Sequence, residues 1–270
     1  MTNSSKNSAP IGVFDSGLGG LTVLREITRL LPGENTIYLG DTARVPYGNK
    51  SRETIIRYSN EIADFLVEKR VKLIVAACNT ASAYGLKAIK KRLDIPVTGV
   101  IEPGARAAAR ATKNFRVGVI GTEGTIKSRA YADAISSADE RIKTFVRSCP
   151  LFVPLAEEGM TDDKITTEVA KRYLKDLKVA GVDTLVLGCT HYPLLRATIA
   201  KVMGPRVTLI DSALSTAEEV ASMLCKNSLT NGSTKKPKHD FYATDSPERF
   251  VEIGRRFFGE RLSSAKLARL

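Results

Sequence analysis

The chain has few cysteines, no tryptophan and no long apolar run. Its four cysteines among 270 residues, Cys78, Cys149, Cys189 and Cys225, form no C-x-x-C motif and are too sparse for a disulfide scaffold. No stretch approaches the ~20 apolar residues that cross a bilayer, and the initial MTNSSKNSAP lacks the features of a secretory signal. We therefore expect a cytoplasmic protein with reduced thiols and no membrane segment.

Acidic residues are also scarce relative to basic ones. The chain has 41 Lys and Arg against 29 Asp and Glu, which gives a net charge of +12. Clustered basic side chains favour nucleic-acid binding because they release counterions from phosphates. Here they are spread along the chain, and no zinc finger, RNA-recognition signature or basic heptad repeat accompanies them. A solvated basic surface is the preferred interpretation, and a nucleic-acid-binding face is the alternative.

Apolar runs rich in β-branched residues alternate with amphipathic stretches along the chain. The expected strands are 11–14, 36–40, 72–78, 97–101, 116–121, 143–148, 183–189, 206–211 and 239–244. The expected helices are 21–31, 53–69, 81–92, 104–113, 127–137, 162–179, 194–203 and 214–227. This alternation predicts an α/β protein with parallel sheets covered on both faces. The length favours two domains over one.

The second half of the sequence repeats the pattern of the first. IGVFDSGLGGLTVLRE (11–26) and VGVIGTEGTIKSRA (117–130) are each a strand, a polar loop and a helix. LIVAACNTASA (73–83) and LVLGCTHYPLL (185–195) each place a cysteine and polar neighbours between a buried strand and a helix-forming segment. Ligands of open α/β sheets bind outside the carboxyl ends of the strands. We therefore expect two pseudo-symmetric domains with an active-site cleft between them, and one thiol on each side of a ligand.

The two strand-end cysteines, Cys78 and Cys189, are candidate bases. At the start of a helix, unpaired N–H groups and the helix dipole favour the thiolate form of a cysteine. For either residue alone, a cysteine packed as a small hydrophobe is the alternative. A zinc site would use both cysteines with His191 and Asp15, but their spacings match no usual zinc motif. A cysteine hydrolase activated by His191 would leave the second cysteine unexplained.

The segment GVFDSGLGGLT (12–22) is rich in glycine, as nucleotide-binding loops are, but it lacks the other residues of such a loop. Gly17 and Gly19 begin a G-x-G pattern, but position 22 is Thr and no Lys completes a Walker motif. Asp15, at the end of the preceding strand, would repel a phosphate, whereas its charge suits an ammonium group or the partner of a base. A phosphate-binding role is therefore not expected for this loop.

The chain contains, in this order, the segments GVFDSGLGGLTV, YLGDTARVPYG, ACNTAS, VIGTEGTIKS and LGCTHYPLL. Together, from about Ile11 to about Ala221, these five segments closely resemble the glutamate racemases, cofactor-independent enzymes of the aspartate/glutamate racemase superfamily. The resemblance implies one domain of residues 1–99 plus 213–270, a second of 100–212, and substrate between them. It also implies interconversion of L- and D-glutamate for bacterial peptidoglycan synthesis, no cofactor or metal, and a homodimer. Some glutamate racemases inhibit DNA gyrase, a second role that the basic charge would permit.

The resemblance also implies roles for individual residues. By similarity, Cys78 takes the α-proton from D-glutamate and Cys189 takes it from L-glutamate. Asp15 and His191 resemble auxiliary acid/base residues, one beside each thiol. Asp41 and Glu157 match further acidic positions, Glu157 as the partner of His191; a turn cap and a surface ion pair are the respective alternatives. The implied substrate contacts are Asp15, Ser16, Tyr47, Gly48, Asn79, Thr80, Thr190 and His191.

Overall fold

The computed structural model describes residues 7–270, and the chain divides into two compact units. We name the two units by their order along the sequence. The outer unit comprises the described residues up to Val100 together with Ala213–Leu270, and the central unit comprises the intervening Ile101–Ser212. Each unit has its own hydrophobic core, built around Phe14 and Ile74 in the outer unit and around Ile120 and Leu185 in the central unit. Within the described residues no helix combines the length and apolar character of a membrane span.

Strands and helices alternate through both units. The strands of residues 7–270 are β1 (Ile11–Asp15), β2 (Thr36–Gly40), β3 (Leu73–Ala76), β4 (Val97–Gly99), β5 (Arg116–Gly121), β6 (Lys143–Ser148), β7 (Thr184–Gly188), β8 (Thr208–Asp211), β9 (His239–Ala243) and β10 (Lys266–Leu267). The α-helices are α1 (Leu21–Leu30), α2 (Arg52–Glu68), α3 (Asn79–Tyr84), α4 (Leu86–Arg92), α5 (Ile101–Ala111), α6 (Glu123–Lys127), α7 (Ala130–Ala138), α8 (Phe152–Glu157), α9 (Lys164–Val179), α10 (Arg196–Met203), α11 (Ser212–Lys226) and α12 (Pro247–Phe258). Single 3₁₀ turns occupy Tyr47–Asn49 and Tyr192–Leu195.

The two sheets share one strand order. The outer sheet runs β10-β9-β2-β1-β3-β4 and the central sheet runs β6-β5-β7-β8, and every pairing is parallel. The four strands β2-β1-β3-β4 therefore correspond one by one to β6-β5-β7-β8. This confirms the predicted α/β class and the internal repeat. In both sheets the order changes direction between the first strand and the third, which is where open α/β folds bind ligands.

One predicted helix is divided in the structure, and another is preceded by a short helix that was not predicted. The helix expected at 81–92 is two helices, α3 and α4, separated at Gly85, where a Cβ atom would collide with the Ser59 side chain of α2. The helix expected at 127–137 is α7, and it is preceded by the separate helix α6. Arg129 lies between these two helices with a φ of 61°, a left-handed conformation that ends a helix. Hydrophobic periodicity reports neither the contact between Gly85 and Ser59 nor the left-handed conformation of Arg129.

Helices α8 and α12 and strand β10 were also not predicted. Helix α12 carries recognisable signals, because Pro247 lies in its first turn and the buried Phe250, Gly254, Phe257 and Phe258 follow helical spacing. Helix α8 is short and contains Pro154, so its periodicity is weak. Strand β10 contains only two residues and, among the strands of residues 7–270, pairs with β9 alone. Because β10 is a strand through its pairing with β9, which lies more than 20 residues earlier, its own sequence does not predict it.

Candidate functional site

Asp15 ends β1 at the carboxyl edge of the outer sheet and is completely buried. One carboxylate oxygen, Oδ2, accepts a 3.2 Å hydrogen bond from the backbone N–H of Gly17, and the other, Oδ1, has no hydrogen-bond partner within residues 7–270. The following loop is tightly packed, since a Cβ at Gly20 would lie 2.6 Å from the Cβ of Asp15. A buried carboxylate oxygen without a donor is costly. It is suited to a cationic ligand.

Cys78 lies beyond the end of β3, which pairs with β1. It is the N-cap of α3, and its Sγ lies 3.7 Å from Oγ of Ser16. The β1–β3 pairing continues past the strand, because the N–H of Ala77 donates to the carbonyl of Phe14 at 2.8 Å. Only 6% of Cys78 is exposed. The strand register thus brings the Cys78 thiol and the Ser16 hydroxyl to the edge of the sheet where Asp15 ends β1, and their part in catalysis stays a prediction.

Asp41 follows β2 and is a fully buried acceptor at the start of the loop that carries Tyr47. Its carboxylate accepts from the Tyr47 hydroxyl, from Nε of Arg44 at 2.7 Å and from the Thr244 hydroxyl at 2.9 Å. Burial, followed by the charge of Asp41, raises the pKa of Tyr47, so that its hydroxyl stays protonated and donates. In this unit Asp41 has a clear structural role. Its catalytic role stays a prediction.

In the central unit, two polar side chains that follow β7 are connected to a third on α8. Sγ of Cys189 lies 3.9 Å from Nδ1 of His191, and Nε2 of His191 lies 2.9 Å from Oε1 of Glu157. His191 is buried and Glu157 is half-buried on α8. When Nε2 carries a proton it donates to Glu157, which leaves Nδ1 to accept from the thiol, or to donate to a thiolate when the ring is charged. The imidazole is therefore placed to exchange a proton with Cys189.

The expectation that Cys189 lies at the start of an α-helix is wrong. The residues after it form the 3₁₀ turn Tyr192–Leu195, in which the N–H of Tyr192 donates to the carbonyl of Cys189 at 3.1 Å, and helix α10 begins only at Arg196. Pro193 has no N–H to continue an α-helical pattern here. Of the two cysteines, Cys78 thus lies at the start of an α-helix, whereas Cys189 does not and has His191 as its neighbouring polar group.

The predicted site residues fall into two groups, one in each unit. The outer unit holds Asp15, Ser16, Asp41, Tyr47, Gly48, Cys78, Asn79 and Thr80; the central unit holds Glu157, Cys189, Thr190 and His191. Sequence reasoning missed supporting residues, among them Arg44, Tyr192 and Thr244. Within residues 7–270 no group of three or more His, Cys, Asp or Glu side chains is arranged to hold a metal ion.

Tyr192 supports the Glu157 partner of the histidine. Its hydroxyl donates to the carbonyl of Cys149 at 2.8 Å, at the start of the segment that leads into α8. Its ring packs edge-on against Phe152 of α8, with the centroids 5.3 Å apart. In the sequence, the Tyr that follows CTH is the only sign of this role. Through these two contacts Tyr192 connects the turn after Cys189 to α8, the helix that carries Glu157.

The other two cysteines have different surroundings. Cys149 is completely buried in the core of the central unit, and burial raises the pKa of its thiol. Cys225 is exposed on α11. All four cysteines are free thiols. Neither Cys149 nor Cys225 follows the third strand of a sheet, so the repeated topology singles out Cys78 and Cys189.

Comparison with known proteins assigns the chain to a racemase family. Residues 11–220 match the Asp/Glu/Hydantoin racemase family, and the chain belongs to it. A curated glutamate racemase of Geobacter metallireducens is 56% identical over 252 residues, which cover 93% of this chain and 93% of that protein. The resemblance to glutamate racemases in the sequence is thereby confirmed.

Solved structures of glutamate racemases share the fold. The enzyme of Francisella tularensis, crystallised in complex with D-glutamate, has a TM-score of 0.92 at 39% identity, with 97% of this chain and 98% of that chain covered. Glutamate racemase isoform RacE1 of Bacillus anthracis has a TM-score of 0.94 at 42% identity, with 98% of each chain covered. The similarity therefore extends over both units of the chain.

Proposed function

We propose that the protein is a glutamate racemase that interconverts L- and D-glutamate with two thiols and no cofactor, supplying D-glutamate for peptidoglycan. The observation that carries the proposal is the repeated four-strand unit, which delivers a cysteine after the third strand in each copy. Inversion of a carbon needs one group to remove a proton from one face and another to return a proton to the opposite face. Relatives named glutamate racemase at up to 56% identity support the choice of substrate.

The proposed reaction is balanced in protons and charge. The thiolate of Cys189 removes the α-proton of L-glutamate, its S–H bond forms as the C–H bond breaks, and the electron pair stays on the carbon. The thiol of Cys78 then gives its proton to the opposite face, which yields D-glutamate and the Cys78 thiolate. D-glutamate is converted by the reverse sequence. The two sulfur atoms therefore exchange protonation states with each turnover, and His191 and Asp15 are the adjacent groups proposed to reset them.

The intermediate needs electrostatic stabilisation, because a carboxylate beside an α-carbanion spreads charge poorly. Preorganised donors supply such stabilisation in enzymes generally. We assign this role to the hydroxyl and amide groups of Asn79, Thr80 and Thr190, all of which are buried. Asp15 is assigned to the substrate ammonium group, because its Oδ1 is buried and accepts no hydrogen bond within residues 7–270. Neutralising that charge also keeps the ammonium group close to the reacting carbon.

The proposal is tested by following optical activity. Purified protein is mixed with L-glutamate alone or D-glutamate alone, without added cofactor, and circular dichroism is recorded over time. We expect both solutions to approach zero signal, since enantiomers have equal free energies and the end point is the racemate. A signal that stays constant from both starting solutions contradicts the proposal. L- and D-aspartate serve as the matched controls for substrate choice.

Glu157→Gln tests the partner of His191. We expect kcat/KM to fall roughly 10- to 100-fold in both directions, because a hydrogen bond to a charged group contributes about 1.5–3 kcal/mol. The neighbouring Glu158, which is exposed, provides the control Glu158→Gln, expected within about twofold of wild type. The measurement is initial racemisation rate against substrate concentration. Equal losses in the two variants would show that Glu157 has no special role.

Three finer predictions accompany the proposal. A cytoplasmic location suits the four free cysteines, since the cytosol keeps thiols reduced. A homodimer, implied by the resemblance, is measured by sedimentation equilibrium of the purified protein. Inhibition of DNA gyrase is supported only by the net charge of +12. A supercoiling assay in which the protein had no effect would remove it.

A further inference from the structure

The loop from Asp41 to Ser51 joins β2 to α2 and carries Tyr47 and Gly48, two of the implied substrate contacts. Its conformation depends on Arg44. Nε of Arg44 donates to Oδ2 of Asp41 at 2.7 Å, and Nη1 of the same guanidinium donates to Oε2 of Glu61 on α2. One side chain thus joins the start of the loop to the helix that follows it.

Aromatic contacts connect Arg44 to Tyr47 by a second route. The guanidinium carbon of Arg44 lies 4.0 Å from the centroid of the Tyr58 ring on α2. Tyr58 in turn packs against Tyr47, with the ring centroids 5.7 Å apart. Tyr47 is therefore held at its hydroxyl by Asp41 and at its ring by Tyr58, and both of these residues contact Arg44.

The charges explain why this position needs a guanidinium. Asp41 is fully buried, the Arg44 side chain is 21% exposed and the Glu61 side chain is 38% exposed. A planar guanidinium binds two carboxylates and stacks on an aromatic ring at the same time, which the single ammonium group of lysine does not do. Without Arg44 the buried Asp41 carboxylate would lose its only charged partner within residues 7–270.

We infer that Arg44 is a positioning residue for substrate binding: it holds the Tyr47–Gly48 segment in the conformation that contacts glutamate. The inference rests on the proposed function. Arg44 acts through Asp41 and Tyr58 and has no part in proton transfer. Its loss therefore weakens binding of the ground state and the transition state alike, which raises KM while kcat is largely retained.

Arg44→Met and Arg44→Lys test this inference, and Arg57→Met is the matched control. Arg57 lies over the same Tyr58 ring at 5.2 Å and 3.9 Å from Glu61, but its side chain is 66% exposed and it does not pair with Asp41. For Arg44→Met we expect KM to rise roughly 10- to 100-fold for both enantiomers, with kcat within about threefold. We expect an intermediate KM for Arg44→Lys, because lysine retains the positive charge but lacks the planar guanidinium that binds two carboxylates. For Arg57→Met we expect KM and kcat within about twofold of wild type.

The outcomes separate this inference from the proposed function. If the wild-type protein does not racemise glutamate, the proposed function fails. If the wild type is active and Arg44→Met either keeps its KM or loses kcat alone, the positioning role is overturned. Should Arg44→Met fail to fold, Arg44→Lys and Glu61→Gln apply the same criterion, with circular dichroism and thermal melting confirming their folded state.

Discussion

We expect Cys78→Ser and Cys189→Ser each to lower the kcat of glutamate racemisation by at least roughly 10³-fold and to leave the fold intact. The reason is acidity: a serine hydroxyl is far less acidic than a thiol, so it neither removes nor returns the α-proton at a useful rate. The two positions are equivalent in the repeated topology, since each follows the third strand of its sheet. We measure racemisation by circular dichroism and folding by thermal melting.

Cys149 and Cys225 provide the controls for these substitutions. Cys149 is buried like the two proposed bases, so Cys149→Ser is a matched control. The Sγ of Cys149 lies 3.7 Å from the carbonyl oxygen of Arg147, which can accept a hydrogen bond from the new serine hydroxyl. Cys225→Ser is a surface change. We expect both variants to keep kcat near wild type, with a loss of about 1 kcal/mol in the free energy of unfolding for Cys149→Ser. If Cys225→Ser were as damaging as Cys78→Ser, the assignment of the bases would be wrong.

The single-thiol variants should also retain one half of the chemistry. With Cys189 replaced, we expect Cys78 to exchange the α-hydrogen of D-glutamate with solvent and we expect L-glutamate not to be exchanged. Cys78→Ser shows the opposite preference. Proton NMR in deuterated water measures both exchanges. Loss of exchange for both enantiomers in both variants would indicate that the two thiols do not act independently.

The sequence predicted the strands well because buried parallel strands leave a local signal. Runs such as IGVF and LVLG are apolar over their whole length, and the structure places β1 and β7 on them. The repeated segments also predicted the equivalent positions of Cys78 and Cys189. Both inferences need only the order of residues along the chain, together with the rule that parallel strands present their carboxyl ends at one edge.

The supporting contacts were not predictable, because they join residues far apart in sequence. Thr244 reaches Asp41 across 203 positions, and the carbonyl that accepts from the Tyr192 hydroxyl belongs to a residue 43 positions earlier. The division at Gly85 depends on the Ser59 side chain of another helix. The pairing of Glu157 with His191 was anticipated only through the resemblance, since neither periodicity nor spacing links α8 to the end of β7. Local patterns predict elements, whereas tertiary packing decides their partners.

Racemisation in deuterated water distinguishes two bases from one. Starting from L-glutamate, we expect D-glutamate to carry deuterium at the α-carbon from the first turnovers, while the remaining L-glutamate keeps its proton. In the proposed mechanism, the Cys78 thiol has exchanged its proton for deuterium from solvent before it donates. The proton that Cys189 removes stays on the Cys189 sulfur. Mass spectrometry after chiral separation measures the label in each enantiomer. The converse run from D-glutamate should label L-glutamate in the same way.

Each alternative mechanism has its own labelling pattern in this experiment. A single base shared by both faces uses one pool of protons, so that both enantiomers would gain deuterium at similar early rates. That result would contradict the division of labour between Cys189 and Cys78. Transfer of the original proton to the product would likewise exclude separate bases, because the hydrogen would have crossed from one face to the other on one group. Only a donor thiol already equilibrated with solvent labels the product and spares the substrate.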